Sequence, residues 1–539
     1  MQYSFTIISA FFDNCNSFLK FFICFFALFH FKLKSNVKKQ NLPPIFLAGK
    51  TNNKNIKVFM DIYENKKESF RRRFENMSDL SVRELTYGDM KICIFYISNF
   101  CSKNMIASQV IEPIAAAYER EGKISSVESS IASASLLTAS DEIEAEQKLL
   151  SGSAVLMYSG SSCYALSVGT KNEEGRSQSE PDTENVIRGP HEGFTENGES
   201  NAMLIRRRLH TSKLKKLNFT VGTESKTDVA VMYIEGVADE KLISELVRRI
   251  ENINLNAVTD SGSVEICIQD GRYALFPTVG NSERPDKVAA KLTEGRAAVI
   301  VDGSPVVLTV PYLFCEGFQV TEDYAKSMWY ASFIRLLRCI AMTISVWLPA
   351  LFTAILTHHE YMVEASTLNI INESRKELSF SIFSEVIVVF LLFELVREVG
   401  LRMPKAVGSA VGLVGALLLG DSAIEAGIAS SSVMIIVALA ALCNFIVPPY
   451  MHPSVIYRFI MIMLSGLFGL YGFFIGMICG VSALAKKSSF GVPYLSPIAP
   501  ISPEGMRDFP IMTPIWSMTV APTAITGKRI IRSQRRPRK

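Results

Sequence analysis

The sequence predicts an α/β soluble domain, a tandem of two related α/β subdomains, followed by an α-helical multi-span transmembrane domain. Three observations point there: a polar first half that repeats its own pattern, a second half with three long stretches free of charge, and basic residues gathered at the ends of those stretches. Bulk composition agrees. Of 539 residues 48% are hydrophobic and mean hydropathy is +0.22, too apolar for disorder and unusual for a wholly soluble chain. A net charge of +4 from 56 basic and 52 acidic residues gives no general affinity for nucleic acid. The ten cysteines form no C-x-x-C pair, so neither a zinc site nor a disulfide framework is indicated.

Residues 1–59 hold 12 of the 34 phenylalanines, yet their apolar run from Phe21 to Phe31 is 11 residues, too short to cross about 30 Å of hydrocarbon. Lys32, Lys34, Lys38 and Lys39 follow that run, the reverse of a signal peptide's order. These residues are expected to be a non-native N-terminal extension, with Met60 as the natural start.

The repeat lies at two offsets. Lys91–Ile97 and its following helical pattern match Asp228–Ile234 and its helix, with Tyr96/Tyr233, Ile97/Ile234, Ile106/Ile243 and Val110/Val247 identical at an offset of 137. In the second copy Leu242, Ile243, Leu246, Val247 and Ile250 share a helix face behind Asp239, a natural N-cap. Gly152–Ser161 and Gly295–Ser304 match at an offset of 143, each an apolar run broken by Ser-Gly or Asp-Gly, a hairpin signal. The first α/β subdomain is placed at 60–170, a linker and charged connecting helix at 171–225, and the second α/β subdomain at 226–327.

The transmembrane domain is placed at 328–485 and a basic cytosolic tail at 486–539. Cys339–Thr357, Ile428–Val447 and Phe459–Ala485 run 19, 20 and 27 residues without charge, each long enough to cross a bilayer. Leu378–Phe393, which carries Glu385, and the Gly-rich Ala406–Gly420 are weaker candidates. Lys326, Arg335 and Arg338 before the first span, and Lys486, Lys487 and the cationic C-terminus after the last, place both ends in the cytosol. An even number of crossings follows, four with one re-entrant element.

Arg188-Gly-Pro-His-Glu-Gly-Phe-Thr-Glu-Asn197, Ser282–Lys287, Glu294-Gly-Arg296, Val301–Pro305, Glu322-Asp-Tyr324 and Ser489–Pro497 follow one another in the order of a known family's blocks. On these residues the chain resembles the GerA-type spore germination family, specifically the A subunit of bacterial spore germinant receptors, over residues 76 to 510. His191, Gly198–Glu199 and Glu316–Gly317 depart from the family's pattern. The resemblance implies a multi-pass protein of the spore inner membrane, soluble domain and tail cytosolic. It also implies partners: a transporter-like B subunit that binds nutrient, a C-subunit lipoprotein, and further copies of this chain. Together they would form or gate a cation-conducting path that starts germination. A small-solute transporter and a non-conducting membrane scaffold remain open beside it.

No nucleophile, metal-ligand spacing or phosphate loop suggests catalysis, so neither an enzyme nor a cofactor is expected; His358, His359 and Glu360 lack the H-E-x-x-H spacing. The candidate ion pathway is Glu385, Glu394, Glu398, Asp421 and Glu425, because a carboxylate within a span costs about 2.5 to 3.5 kcal/mol unless it faces water or a partner. Glu394 has Arg397 at i+3, which leaves Glu398 or Glu385 without a cation. Arg188, Glu192, Glu196, Arg284 and Asp286 are candidate inter-subdomain or subunit contacts. Glu192 and Glu196 would share a face of a helix starting near Pro190, with Arg206, Arg207 and Arg208 downstream to pair with them; Arg284 and Asp286 read as a charged turn around Pro285.

Overall fold

The protein, seen here as a computed structural model, is described for residues 53–531 other than 89, 123, 125, 162, 172–180, 182–183, 185, 187, 272–273, 377, 379, 403–419 and 519. The expected N-terminal extension up to residue 52, the Gly-rich Ala406–Leu419 and the cationic residues from Arg532 onward lie outside the described residues.

Helix α1 (Asn53–Arg73) leads into a sheet of β1 (Leu80–Tyr87), β2 (Met90–Ile97), β3 (Leu136–Ala139), β4 (Ser153–Tyr158) and β5 (Ala165–Gly169). Its strand order is β1-β2-β4-β5-β3. Alternate residues of β2 serve two cores: Cys93 and Phe95 pack with Phe70 of α1 and Leu149, while Ile92 and Ile94 pack with Val110 and Ile114 on the other face. Helix α2 (Glu112–Glu121) and helix α3 (Glu142–Leu150) supply those two layers.

After α4 (Gly198–Arg206) the pattern recurs with β6 (Leu214–Val221), β7 (Thr227–Ile234), α5 (Glu240–Glu251), α6 (Ser261–Ile268), β8 (Gly280–Ser282), α7 (Pro285–Thr293), β9 (Ala297–Val301) and β10 (Val307–Val310). The order β6-β7-β9-β10-β8 is the first sheet's order again. Asp239 caps α5 through the Lys241 amide at 3.0 Å, and Leu242, Ile243, Leu246 and Ile250 are its buried face. The expected hairpins are β4–β5 and β9–β10, with Gly160 and Gly303 at positive φ in their turns. Every ladder in both sheets is antiparallel. One expectation needs correction. The stretch assigned to the linker contains β6, an eight-residue edge strand paired along its length with β7.

Beyond β10 the chain is helical: α8 (Met328–His358), α9 (Ile382–Arg402), α10 (Ser431–Asn444) and α11 (Met451–Lys486). By length and composition Met328–His358 and Pro448–Lys486 are apolar enough to cross a membrane. The expected 20-residue crossing at Ile428–Val447 contains only the 14 helical residues of α10, fewer than the 17 or so a crossing needs. The 27-residue run Phe459–Ala485 is not one straight span either. At Gly469 φ is 60° and ψ is −141°, outside the helical region, and the Tyr457 hydroxyl donates to the Gly476 carbonyl at 2.8 Å. Nineteen residues of straight helix would separate those two by roughly 28 Å. A Cβ on Gly476 would touch Met461, and one on Gly480 would strike Tyr457, so α11 is a helical hairpin with its turn at Gly469.

The contacts fix the directions of the helices. Ser454 meets Met342 and His358 meets the Gly466 carbonyl, so the first arm of α11 runs parallel to α8. Phe383 packs on Gly466 and Phe390 stacks on Phe459, so α9 runs against that arm. Val346, Ala350, Ala354, Val386, Val433 and Met461 form the core of this bundle.

Candidate functional site

The residues that join the second sheet to the helices form a densely paired polar region. Two short 3-10 turns, Phe314–Phe318 and Thr321–Ala325, carry the chain from β10 into α8. Arg335 and Arg338 lie three apart on α8 and so share a face. That face turns inward onto Asp323: Arg335 Nε donates to Oδ2 at 3.0 Å, and Arg338 Nη1 and Nη2 donate to Oδ2 and Oδ1 at 2.7 and 3.0 Å. Arg335 Nη1 also donates to the carbonyl and Oδ1 of Asp508 at 2.6 and 2.8 Å. Tyr324 Oη donates to Asp508 Oδ2 at 2.6 Å and Gln319 Nε2 to its carbonyl at 3.0 Å. Burial works against the charge of Asp323, yet Arg338 and Arg335 hold its carboxyl below the usual range. At Asp508 burial wins over the pull of Arg335, and the carboxyl is pushed up.

A second ionic group lies beside this clamp. Glu316 accepts from Arg296 Nη2 at 2.8 Å and from the Leu313 amide at 2.9 Å, and pairs with Lys291 at 3.1 Å. Burial raises the Glu316 carboxyl, but Arg296 and Lys291 more than offset that and leave it below its ordinary value. An aromatic cluster completes the junction: Phe314 stacks on Tyr450 at 4.9 Å between ring centres, with Phe276, Phe318 and Tyr494 around them. Gly317 is pressed against the Tyr450 ring, where a Cβ would overlap it.

The return from α11 is anchored as firmly. Ser489 Oγ donates to the Thr278 carbonyl at 2.7 Å and accepts from the Tyr312 amide at 3.1 Å. The Phe490 amide donates to Asp270 Oδ2 at 2.6 Å while the Arg249 guanidinium lies 4.2 Å over the Phe490 ring. Both α8 and α11 are therefore tied to the second sheet. A small slip at this junction would leave a buried charge unpaired, which costs several kcal/mol. A cleft of about 360 Å³ opens at its side, lined by Lys287, Lys291, Arg296, Tyr324, Arg507 and Asp508 among others.

Of the candidate pathway acids, three are paired with arginines and two are exposed. Glu385 is fully buried, pairs with Arg375 Nε at 3.1 Å and accepts from the amide and hydroxyl of Ser430, fastening the start of α10. Glu394 pairs with Arg397 at 2.6 Å, and Glu398 with Arg402 at 2.7 Å. The expectation that Glu398 or Glu385 stays without a cation is thus corrected. Asp421 and Glu425 are exposed. Arg458, missed in the sequence, is buried between helices with Nη2 on Ser345 Oγ at 2.6 Å.

Among the candidate contact residues, Arg188 and Glu196 are exposed. Residues 190–195 are not helical, which corrects the helix placed near Pro190; the helix starts at Gly198, capped by Asn197. Glu192 still finds Arg208. Arg284 and Asp286 form no solvated turn: Pro285 opens α7, and buried Arg284 donates to Asp286 Oδ2 at 2.7 Å and Oδ1 at 3.1 Å. The contact between the two sheet units was not among the candidates. Arg206 of α4 forms a buried double hydrogen bond with Asp79, 127 residues away, and Glu199 joins Lys216 to Asn99.

Comparison with known proteins decides the family. The family described as Bacillus/Clostridium GerA spore germination protein matches residues 68–524. The chain belongs to the GerA family. It is 35% identical over 487 residues to spore germination protein KA of Bacillus subtilis, covering 88% of this chain and 87% of that one. Spore germination protein B1 of the same organism is 31% identical, with 85% and 96% covered. Spore germination protein GerQA of Bacillus cereus is 32% identical, with 90% and 95% covered. Among solved structures, the N-terminal domain of the A subunit of the Bacillus megaterium germinant receptor GerK3 is 28% identical, covers 46% of this chain and 94% of that one, and has a TM-score of 0.36. In this GerA chain, Asp323 and Tyr324 of one sequence block, Glu294 and Arg296 of another and Ser489–Tyr494 of a third all meet at the junction.

Proposed function

We propose that the chain is the membrane subunit of a nutrient-responsive spore germinant receptor. It crosses the spore inner membrane several times with its sheet domain and tail in the cytosol. It oligomerises, acts with a transporter-like B subunit and a lipoprotein C subunit, and forms or gates a cation-conducting path. The observation that carries this reading is the surface of α9. Glu398 and its partner Arg402 lie on the same outward face as Leu395 and Val399, and even a paired carboxylate is costly to leave among lipid chains. A second copy or a water-filled passage removes that cost. Glu398 would then sit toward the cytosolic mouth, with Asp421 and Glu425 toward the other, while Glu385 stays locked in packing.

Disulfide capture between copies carrying Glu398→Cys, in membranes holding the assembled receptor, tests the oligomer. Cross-linked dimers are expected. Monomer alone, with Glu398→Cys reacting freely with a lipid-soluble maleimide, would refute the shared passage and favour a non-conducting scaffold.

A further inference from the structure

The first turns of α8 are inside out. Ala331 and Arg335 are fully buried, and Arg338 is nearly so, on the face that meets Asp323 and Asp508. The opposite face exposes Trp329 at 79%, Tyr330, Phe333, Leu336 and Leu337. A helix end in water puts its charges out and its rings in. The reverse order suits a surface in contact with an apolar or interfacial medium.

The segment that follows α11 lies against the same helix end, held by the Arg335–Asp508 pair and by the Met512 amide on Ser332 Oγ at 3.1 Å. It too turns large apolar groups outward: Ile501 at 79%, Ile511, and Trp516 at 76%. Two of the chain's three tryptophans are therefore exposed in two segments bound to each other. Exposed Arg507 lies within the second stretch, and exposed Lys326, paired with Glu322, lies just before the first. Tryptophan and tyrosine rings settle at the headgroup level of a bilayer, and cations beside them are attracted to anionic lipid. The exposed face is also continuous with Ile340, one turn further along α8 toward its apolar centre.

We infer that Ile498–Trp516 is an interfacial anchor. With the first two turns of α8 it is seated in the cytosolic headgroup layer of a bilayer containing anionic lipid, and so sets the depth at which the junction is held. This inference rests on the membrane reading of α8 made above, and the three tryptophans separate the two. Single-tryptophan chains keeping Trp329, Trp347 or Trp516, the others changed to phenylalanine, are reconstituted in phosphatidylcholine–phosphatidylglycerol vesicles. Lipids brominated near the headgroup or deep in the acyl chain, and aqueous iodide, are the quenchers.

Trp347, near the middle of α8, reports the span itself. The anchor requires Trp329 and Trp516 to lose about half their emission to the shallow brominated lipid and less to the deep one, as interfacial rings should. If Trp347 is quenched by deep bromine but Trp516 only by iodide, the anchor is refuted while the span stands. If Trp516 is quenched by neither, another protein surface covers it and the anchor is equally refuted. Loss of deep quenching at Trp347 would instead refute the membrane reading. The unaltered chain guards against misfolded variants: its total emission should be shielded from acrylamide, an uncharged aqueous quencher, on adding phosphatidylglycerol to phosphatidylcholine vesicles, and no change would count against the anchor.

Discussion

Arg335→Met is the sharpest single perturbation of the junction. Arg335 is fully buried and bridges two carboxylates, donating to Asp323 at 3.0 Å and to Asp508 at 2.8 Å and, through its carbonyl, at 2.6 Å. After the change Asp323 keeps both hydrogen bonds from Arg338, whereas Asp508 keeps only the neutral donors Tyr324 and Gln319. Removing one partner of a buried ion pair costs about 3 to 5 kcal/mol, and the side chain of Asp508 retains some contact with water, so the lower end, about 3 kcal/mol, applies. That cost falls on the docking of residues 505–513 against α8. It predicts amide exchange there accelerated roughly a hundredfold, at 1.36 kcal/mol per decade. Asp508→Asn in the Arg335→Met background removes the stranded charge and should recover about 1 to 2 kcal/mol of the loss, the non-additivity expected of contacting residues. Hydrogen exchange by mass spectrometry on the protein in lipid nanodiscs reads both. Unchanged exchange in 505–513, or strictly additive effects of the two substitutions, would refute the clamp.

Other outcomes follow from the same packing. Cysteines at Tyr457 and Gly480 should form an intramolecular disulfide because the arms of α11 touch there, whereas a straight helix would hold them roughly 34 Å apart and leave both thiols free. Glu385→Gln should cost about 2 kcal/mol, because the Ser430 and Arg375 bonds lose their charged acceptor, and should lower the melting temperature; an unchanged melting curve would contradict the packed role. Glu316 has its carboxyl held below the ordinary 4.5. Its contribution is therefore complete above that pH and lost as pH falls through the lowered value, so Glu316→Gln should flatten the acid limb of a stability–pH profile.

How much of this was legible depends on how local each cause is. The strands β2, β7, β4 and β9 are short runs of apolar and β-branched residues, and their partners in the repeat carry the same pattern, so the tandem could be read directly. Strand β6 could not, because Lys215 and Lys216 read as a charged linker; both are buried, paired with Glu235 and Glu199 from other elements. The hairpin in α11 hid for a different reason. Gly466, Gly469, Gly472, Gly476 and Gly480 recur at three- and four-residue spacing, which on any apolar helix signals close packing, and hydropathy carries no information about the sign of φ at one glycine. In the junction, Arg335 and Arg338 were visible only as charges near a span. Asp508, the second partner of Arg335, is 173 residues away in sequence, in a segment without periodic pattern. The pairing of Glu394 with Arg397 was legible because three residues make one helical turn; that of Glu385 with Arg375 was not, because the chain turns between them.

Ion movement through the assembled receptor is the most direct test of a gated cation path. Potassium-loaded vesicles containing the assembled receptor should release potassium when nutrient is added. Glu398→Gln should slow that release on the order of tenfold, the effect of losing about 1.4 kcal/mol of cation attraction at a mouth, while Glu385→Gln leaves the rate per folded complex unchanged. Nutrient-triggered release that is identical with and without the Glu398 charge, or no release from complexes that bind nutrient, would contradict it.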